Sequence, residues 1–242
     1  MKKDATALAT EVRPATQNQM KDIYGLAIQA IPTELSFEAA QAIISNKSLF
    51  INRVRDLFPD PTVLRNPLKQ WESLYREEFG IDLGEVAIPE RRAGFDRLII
   101  VAKGITRNRA YDACAKKFPC WCYTDNLDKG VPTNDRKPTE TYAVWIRDRQ
   151  EADEELKNLS ADDLAEKGIK GITLLERLLL ELKYFRETSK HLDIRNMTLC
   201  SGSRLVDGDV PLARWVDDEF VVGWSHRGRR NPDLRSRAVV SL

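Results

Sequence analysis

The stretch Val210-Pro211-Leu212-Ala213-Arg214-Trp215-Val216-Asp217-Asp218-Glu219-Phe220-Val221-Val222-Gly223-Trp224-Ser225 reads as strand, turn, strand, with Asp217-Asp218 as the turn pair. Successive side chains of a strand point to opposite faces. Phe220, Val222 and Trp224 therefore share one side, Trp215 and Ala213 fall on the equivalent side of the preceding run, and the large members of this set are expected to be scaffold. The other side carries Leu212, Arg214 and Val216 on one run and Val221, Gly223 and Ser225 on the next. That mixture of apolar, cationic, small and polar residues matches neither a buried nor a solvated face. From Met197 onward the whole tail has the same texture, with Gly202, Asp207-Gly208, Gly228, Pro232 and a last strand over 238–242.

Codon chemistry offers a cause for the mixed face. Through Lys190 the chain uses 15 Lys and 15 Arg, whereas after it there are 8 Arg and no Lys. From Leu205 on there is no Gln and no Met, and the only Glu is Glu219. Randomising the first two bases of an AAC codon yields Leu, Val, Arg, Gly, Ser, His and Asp among others, but never Lys, Gln, Glu, Met or Trp. The residues of the mixed face all belong to the reachable set.

Working back from the tail, 173–190 reads as a helix with Leu174, Leu175, Leu178, Leu179, Leu182 and Phe185 on its apolar face and Glu176, Arg177, Glu181, Lys183 and Arg186 facing out. A helix over 151–167 precedes it, restarted at Ser160 by a capping box with Asp163. Strands are expected at 97–102 and 141–146, a helix at 107–118, and a turn-rich loop over 128–139. The first ninety residues read as helices: 17–30, with Met20, Ile23, Tyr24, Ala27 and Ile28 as a buried stripe; 37–44, capped by Ser36; 49–58; and one opened by Asn66-Pro67 and closed by Gly80. The expected organisation is a small helical domain over 1–90 and an α+β domain over 91–242.

Composition narrows the function. With 38 basic and 37 acidic residues the net charge is +1, which provides no overall field for nucleic acid or anionic lipid. The longest apolar run, over 98–102, is far short of the roughly 20 residues of a membrane helix. Lys2 and Lys3 are followed by no apolar stretch, so the expected location is the cytoplasm, without a secretory signal. Cys114, Cys120, Cys122 and Cys200 do not form a disulfide framework. A metal site built on Cys120-Trp121-Cys122 and Cys114 lacks a second ligand pair, which leaves small buried thiols as the better reading. Asp125, Asp128 and Asp135 have no metal-ligand spacing and read as loop carboxylates. Lys103, Arg107 and Arg109 around a helix start could hold a phosphate, or simply be a solvated basic face. Neither a metal nor a cofactor is expected.

A resemblance joins these features. Leu199-Cys200-Ser201-Gly202-Ser203-Arg204, Asp207-Gly208, Val210-Pro211, Trp215, Trp224 and the closing Leu234-Arg235-Ser236-Arg237-Ala238-Val239-Val240-Ser241-Leu242 resemble the variable region of proteins diversified by bacterial retroelements. Tyr142-Ala143-Val144-Trp145-Ile146-Arg147-Asp148, Thr173-Leu174-Leu175-Glu176-Arg177 and His191-Leu192-Asp193 resemble the same group, so the likeness spans about 95–242. In such systems an error-prone reverse transcriptase copies a template repeat, changes it at adenines and writes the copy into the target gene. The resemblance implies a C-type-lectin-like fold, shared with formylglycine-generating enzymes, and a variable region over about 200–242. It implies a diversified, ligand-binding surface at Leu205, Val206, Asp209, Leu212, Arg214, Val216, Val221, Gly223, Ser225, His226, Arg227, Gly228 and Arg229. Trp215, Phe220, Val222 and Trp224 would be its scaffold, and a protein or other macromolecule its ligand.

Two rivals stand beside this reading. Arg227, Arg229, Arg230, Arg235 and Arg237 place five cations within eleven residues beside Trp224, as a nucleic-acid module would. An enzyme would need a fixed constellation, but His191 and His226 are the only histidines, the first at a helix end and the second among the variable positions, and Cys200 stands alone. Binding therefore precedes catalysis as the expected function.

Overall fold

The computed structural model describes residues 16–29, 32–48, 50–51 and 66–242, and the chain divides into two units, 1–66 and 67–242. In the first unit, α1 (Gln17–Gln29) and α2 (Phe37–Ser45) are helical, and the Ser36 hydroxyl caps α2 by accepting from Ala39 N–H at 3.2 Å. The expected buried stripe of α1 is not buried: Tyr24 and Ile28 are exposed. The helix expected over 49–58 lies largely outside the described residues.

The helix expected to close the first domain, α3 (Pro67–Phe79), belongs to the second unit. Its buried Trp71 and Tyr75 donate to the carbonyls of Leu98 and Ile100, both at 2.9 Å, which pins it to β1 (Arg97–Val101). A helix whose aromatic face is hydrogen-bonded to a strand folds with that strand, so the boundary falls at 66 and not at 90.

The second unit is α+β. After β1 come α4 (Arg107–Ala115), β2 (Cys120–Cys122), α5 (Leu127–Gly130), β3 (Thr133–Asn134) and β4 (Tyr142–Ile146), which pairs antiparallel with β1. A short 3-10 turn (Glu154–Leu156), α6 (Ala161–Glu166) and α7 (Leu174–Thr188) follow, then β5 (Met197–Leu199), β6 (Ser203–Arg204), β7 (Val210–Val216), β8 (Glu219–Ser225) and β9 (Leu234–Arg235). The helix expected over 151–167 is broken, with Asn158 at φ 60° between its two pieces, and the Ser160–Asp163 capping box starts the second. The turn-rich loop over 128–139 contains β3, which pairs with β6. In place of a continuous strand at 238–242 there are single bridges, Ala238 to Gly171 and Val240 to Trp145.

The main sheet has the order β2-β8-β7-β5-β9. β7 and β8 form an antiparallel hairpin, and Asp217 and Asp218 both take positive φ in its turn, a conformation that short polar side chains tolerate. β2 is added in parallel from about a hundred residues upstream. One face of the hairpin, with Ala213, Phe220 and Val222, is buried in the core, which also takes in β1, β4, α4 and α7.

Most of the polar side of α7 is not solvated, and of the five residues expected to face out Arg186 alone is exposed. Glu176, Arg177 and Glu181 are fully buried and Lys183 nearly so, against the expectation that they face out. The reason is a set of partners that amphipathic spacing does not reveal. Glu176 takes Arg136 at 2.6 Å and the Tyr142 hydroxyl at 3.0 Å. Arg177 donates to Asp193 at 3.0 Å and to Glu181 at 2.7 Å, and Asp193 accepts from Arg237 at 2.7 Å and from the Thr198 hydroxyl. Burial works against the Arg177 charge, but Asp193 and Glu181 outweigh it and hold the guanidinium protonated. Lone buried charges are strongly unfavourable, so these groups act as one structural unit.

Candidate ligand-binding surface

The register of the hairpin sets the mixed face: Leu212 lies opposite Gly223, Arg214 opposite Val221 and Val216 opposite Glu219. Leu212, Arg214, Val216, Val221 and Gly223 are all half-exposed, while Ala213, Phe220 and Val222 between them are buried. Five of the thirteen expected positions thus gather on one accessible sheet face. Among the described residues Arg214 has no hydrogen bond or ion pair, so its guanidinium is available to a ligand carboxylate.

A second group lies on two loops. Val206 is exposed and Asp209 half-exposed before β7, and His226, Arg227, Gly228 and Arg229 are exposed after β8. The loops are tied together, because the Asp209 carboxylate accepts from Arg227 N–H at 3.2 Å. The Arg227 side chain is itself held by Asp162 at 2.9 Å.

Two expected positions are corrected. Ser225 is 3% exposed and Leu205 7% exposed, so neither displays a side chain. Ser225 lies opposite Val210, which packs with Leu156, Ala161 and Leu164, so this end of the face is roofed by the 3-10 turn and α6. Leu205 enters the main core. The roofed end separates the sheet face from the loop group.

The scaffold also needs one correction. Phe220 and Val222 are buried, and Trp215 is half-buried against the core, its ring stacked on His191 at a centroid distance of 3.4 Å. Trp224 is 53% exposed. It points to the same side as Val222, but the pairing of β2 with β8 stops at Cys122 and Val222, so no residue of β2 flanks it.

One residue of the face escapes local sequence reasoning. Trp121 aligns with Val221 across the parallel β2–β8 pair, shares its side of the sheet, and is 50% exposed. A three-residue strand has too few positions for periodicity to register. The small-large-small pattern Cys120-Trp121-Cys122 is the one available signal.

The glycines divide in the same way. A Cβ at Gly223 would meet Leu212 Cδ1 at 3.5 Å and one at Gly228 would meet Asp162 Oδ2 at 3.6 Å, both ordinary contacts. A Cβ at Gly202 would lie 2.6 Å from the Gly171 carbonyl oxygen, and Gly208 has φ +90°. The two glycines of the expected variable set have room for a side chain; of the two assigned to the fixed motif, Gly202 has no room, and Gly208 has open space around it but a positive φ that side chains rarely adopt.

The groups behind the rival readings are committed elsewhere. Of the five clustered arginines, Arg230 pairs with Asp163 at 2.5 Å, Arg235 with Glu154 at 2.6 Å and Arg237 with Asp193, besides the Arg227–Asp162 pair, which leaves Arg229 unpaired among the described residues. The α4 N-terminus is capped by the Thr106 hydroxyl and by Asp128, which accepts from Arg107 N–H at 2.9 Å, so a carboxylate stands where a phosphate would bind. His191 is hydrogen-bonded to Glu181 at 2.9 Å and lies apart from the exposed His226 loop. All four cysteines are free thiols; Cys114 and Cys200 are buried, and burial pushes Cys120 and Cys200 up to about 12. Among the described residues no group of three or more His, Cys, Asp or Glu side chains could hold a metal ion, and no helix is long and apolar enough to cross a membrane.

No protein-family model, curated protein or solved structure matches the chain.

Proposed function

We propose that residues 67–242 form a C-type-lectin-like scaffold whose sheet face binds a macromolecular ligand and is diversified by a retroelement. The observation that carries this reading is the division of the β7–β8 hairpin into a buried face of Ala213, Phe220 and Val222 and an accessible face of Leu212, Arg214, Val216, Val221 and Gly223. Arg214, Val216, Val221 and Gly223 can be exchanged without disturbing the core beneath them, which is what diversification by mutagenesis requires, whereas Leu212 also packs against the apolar cluster of Leu156, Ala161 and Leu164 and tolerates apolar replacements best. The room at Gly223 and Gly228, set against the crowding at Gly202, supports the same division.

Recognition fits this surface better than catalysis. A reaction needs its groups held to about half an ångström by fixed neighbours, and an exchangeable face has no such neighbours. The present residues suit a protein surface with apolar area and a carboxylate, the apolar area meeting Leu212, Val216, Val221 and Trp121 and the carboxylate meeting Arg214. A nucleic-acid ligand fits less well, because four of the five clustered arginines are already neutralised by carboxylates.

The gene locus provides the test. The expected finding is a neighbouring reverse-transcriptase gene and a near-copy of the last hundred or so bases that differs where the copy has adenine. Absence of any copy, or a copy identical to the gene at every base, would refute diversification. Ligand binding is tested separately with Arg214→Glu, which should leave the fold intact and abolish capture of any protein selected against the parent.

A further inference from the structure

Away from the exchangeable face, the main sheet has an open edge at β2 with a cavity beside it. β2 is an outer strand of the main sheet, paired on one side only. Phe220 N–H donates to the Pro119 carbonyl at 2.9 Å and Tyr123 N–H to the Val222 carbonyl at 3.1 Å, which fixes the phase of the ladder. The N–H and C=O of Trp121 therefore face β8, and those of Cys120 and Cys122 face the open side. Among the described residues none is hydrogen-bonded to these four outer groups. Unpaired backbone of this kind is a template for another strand.

Along the same edge lies a cavity of 370 Å³, within the roughly 300–1,000 Å³ of ligand pockets. α4 lines it with Asn108, Tyr111 and Asp112, which share one helix face, and the β2 side contributes Cys122, Thr124 and Asp125. The Asn108 amide is used internally, accepting from Leu127 N–H at 2.8 Å. The side chains of Tyr111, Asp112 and Asp125 have no hydrogen bond or ion pair among the described residues, and both carboxylates are exposed. The cavity thus presents two uncompensated negative charges and a phenol. On the opposite face of the strand, Trp121 stands exposed.

We propose that the β2 edge is a docking site for an extended segment of another polypeptide, which adds as a sixth strand with a Lys or Arg side chain in the cavity between α4 and β2. Side chains of an added strand alternate in direction. One set enters the cavity, where Asp112 and Asp125 select a cation, and the other lies beside Trp121, where an apolar side chain is covered. The site is built from residues 108–125, upstream of the stretch expected to vary, and it meets the surface proposed above at Trp121 alone, while its cavity and its backbone edge lie outside that surface.

The test is a titration of the ¹⁵N-labelled full chain with the acetylated and amidated pentapeptide Val-Lys-Val-Lys-Val. Saturable shifts confined to residues 108–125 are expected, with slowed exchange of the Cys120 and Cys122 amide protons. N-methylation of a peptide amide that donates to the edge should weaken binding about tenfold. The double variant D112N/D125N, exposed at both sites and checked for an unchanged melting curve, should bind about fivefold more weakly at low salt. The proposal is overturned by shifts that fail to saturate or fall outside this edge. Equal binding of Val-Glu-Val-Glu-Val, of the N-methylated peptide or to the double variant overturns it as well. So does protection of the Cys120 and Cys122 amides without peptide in a chain that sediments as a dimer, because a second copy would then occupy the edge.

Discussion

Gly202→Ala and Gly223→Ala make the same chemical change in two strand-and-turn settings, and the structure assigns them opposite outcomes. At Gly202 the new methyl would lie 2.6 Å from the Gly171 carbonyl oxygen, 3.2 Å from the Ile172 carbonyl oxygen and 3.2 Å from Thr173 Cγ2. Two of these obstacles are backbone, and they belong to the segment that leads into the Thr173 cap of α7 and accepts the Gly202 N–H at 3.0 Å. Overpacking costs about 1–3 kcal/mol, and backbone that cannot rotate aside puts this site at about 2–3 kcal/mol. A domain of this size loses about 2–4 °C of Tm per kcal/mol, so Gly202→Ala should melt about 4–12 °C below the parent. At Gly223 the methyl meets one Leu212 carbon at 3.5 Å with no positive φ to strain it, and replacing a strand glycine removes unfolded-state entropy. Its Tm should therefore stay within about 2 °C of the parent or rise. Thermal melts of the three proteins, followed by near-ultraviolet circular dichroism, decide the matter. A Gly202→Ala protein that melts with the parent, or a Gly223→Ala protein that melts below it, refutes the division between fixed and exchangeable positions.

Asp193→Asn keeps the shape and the tolerance for φ 55° but removes the charge between Arg177 and Arg237. The expected loss is about 3–5 kcal/mol, measured by urea unfolding, and a loss below about 1 kcal/mol refutes the view of these groups as one unit. The thiols predict an alkaline weakness. Burial holds Cys200 and Cys120 up to about 12 against an ordinary 9.0, and raises Cys114, so the folded chain keeps protons that the unfolded chain releases. Their contribution is complete below about pH 9 and is lost as pH climbs toward about 12, so Tm should fall through this range and the fall should be shallower in Cys200→Ser; equal slopes count against it. Random duplex DNA should show little affinity with a shallow salt dependence, because Arg229 alone of the five clustered arginines is unpaired among the described residues. A slope of log affinity against log salt near −4 or steeper would mean that all five arginines engage phosphates.

Local signals were sufficient where neighbours in sequence are also neighbours in space. Ser36 and Ser160 cap the helices they precede, because a cap is a contact over three residues, whereas Thr173, expected as the first helical residue, is itself the cap of α7. The alternation in β7 and β8 placed Leu212, Arg214 and Val216 opposite Phe220 and Val222 for the same reason. It failed at the strand ends. Ser225 is buried beside Val210, which packs on α6, and Trp224 extends past β2, and both facts depend on segments roughly 50 to 100 residues away. Helical spacing misplaces Glu176, Arg177, Glu181 and Lys183 because it treats charge as a sign of water, whereas the partners of Arg177 and Glu176 include Asp193 and Arg136, supplied by other parts of the chain. Trp121 was missed because its strand exists only through pairing with β8.

The salt bridge from Arg237 to Asp193 makes the buried charge network depend on a residue 44 positions away in sequence. Arg237 also donates to the carbonyls of Arg149 at 3.0 Å and Gln150 at 2.8 Å, so the 149–150 turn, Asp193 beyond the end of α7 and the tail close around one guanidinium. A polypeptide that stops short of this residue, or reaches it in the wrong reading frame, leaves two buried carboxylates, Asp193 and Glu181, to share the single guanidinium of Arg177. A chain altered upstream of this point closes fully only if its reading frame still brings an arginine to this position, and one that does not is left more open to proteases.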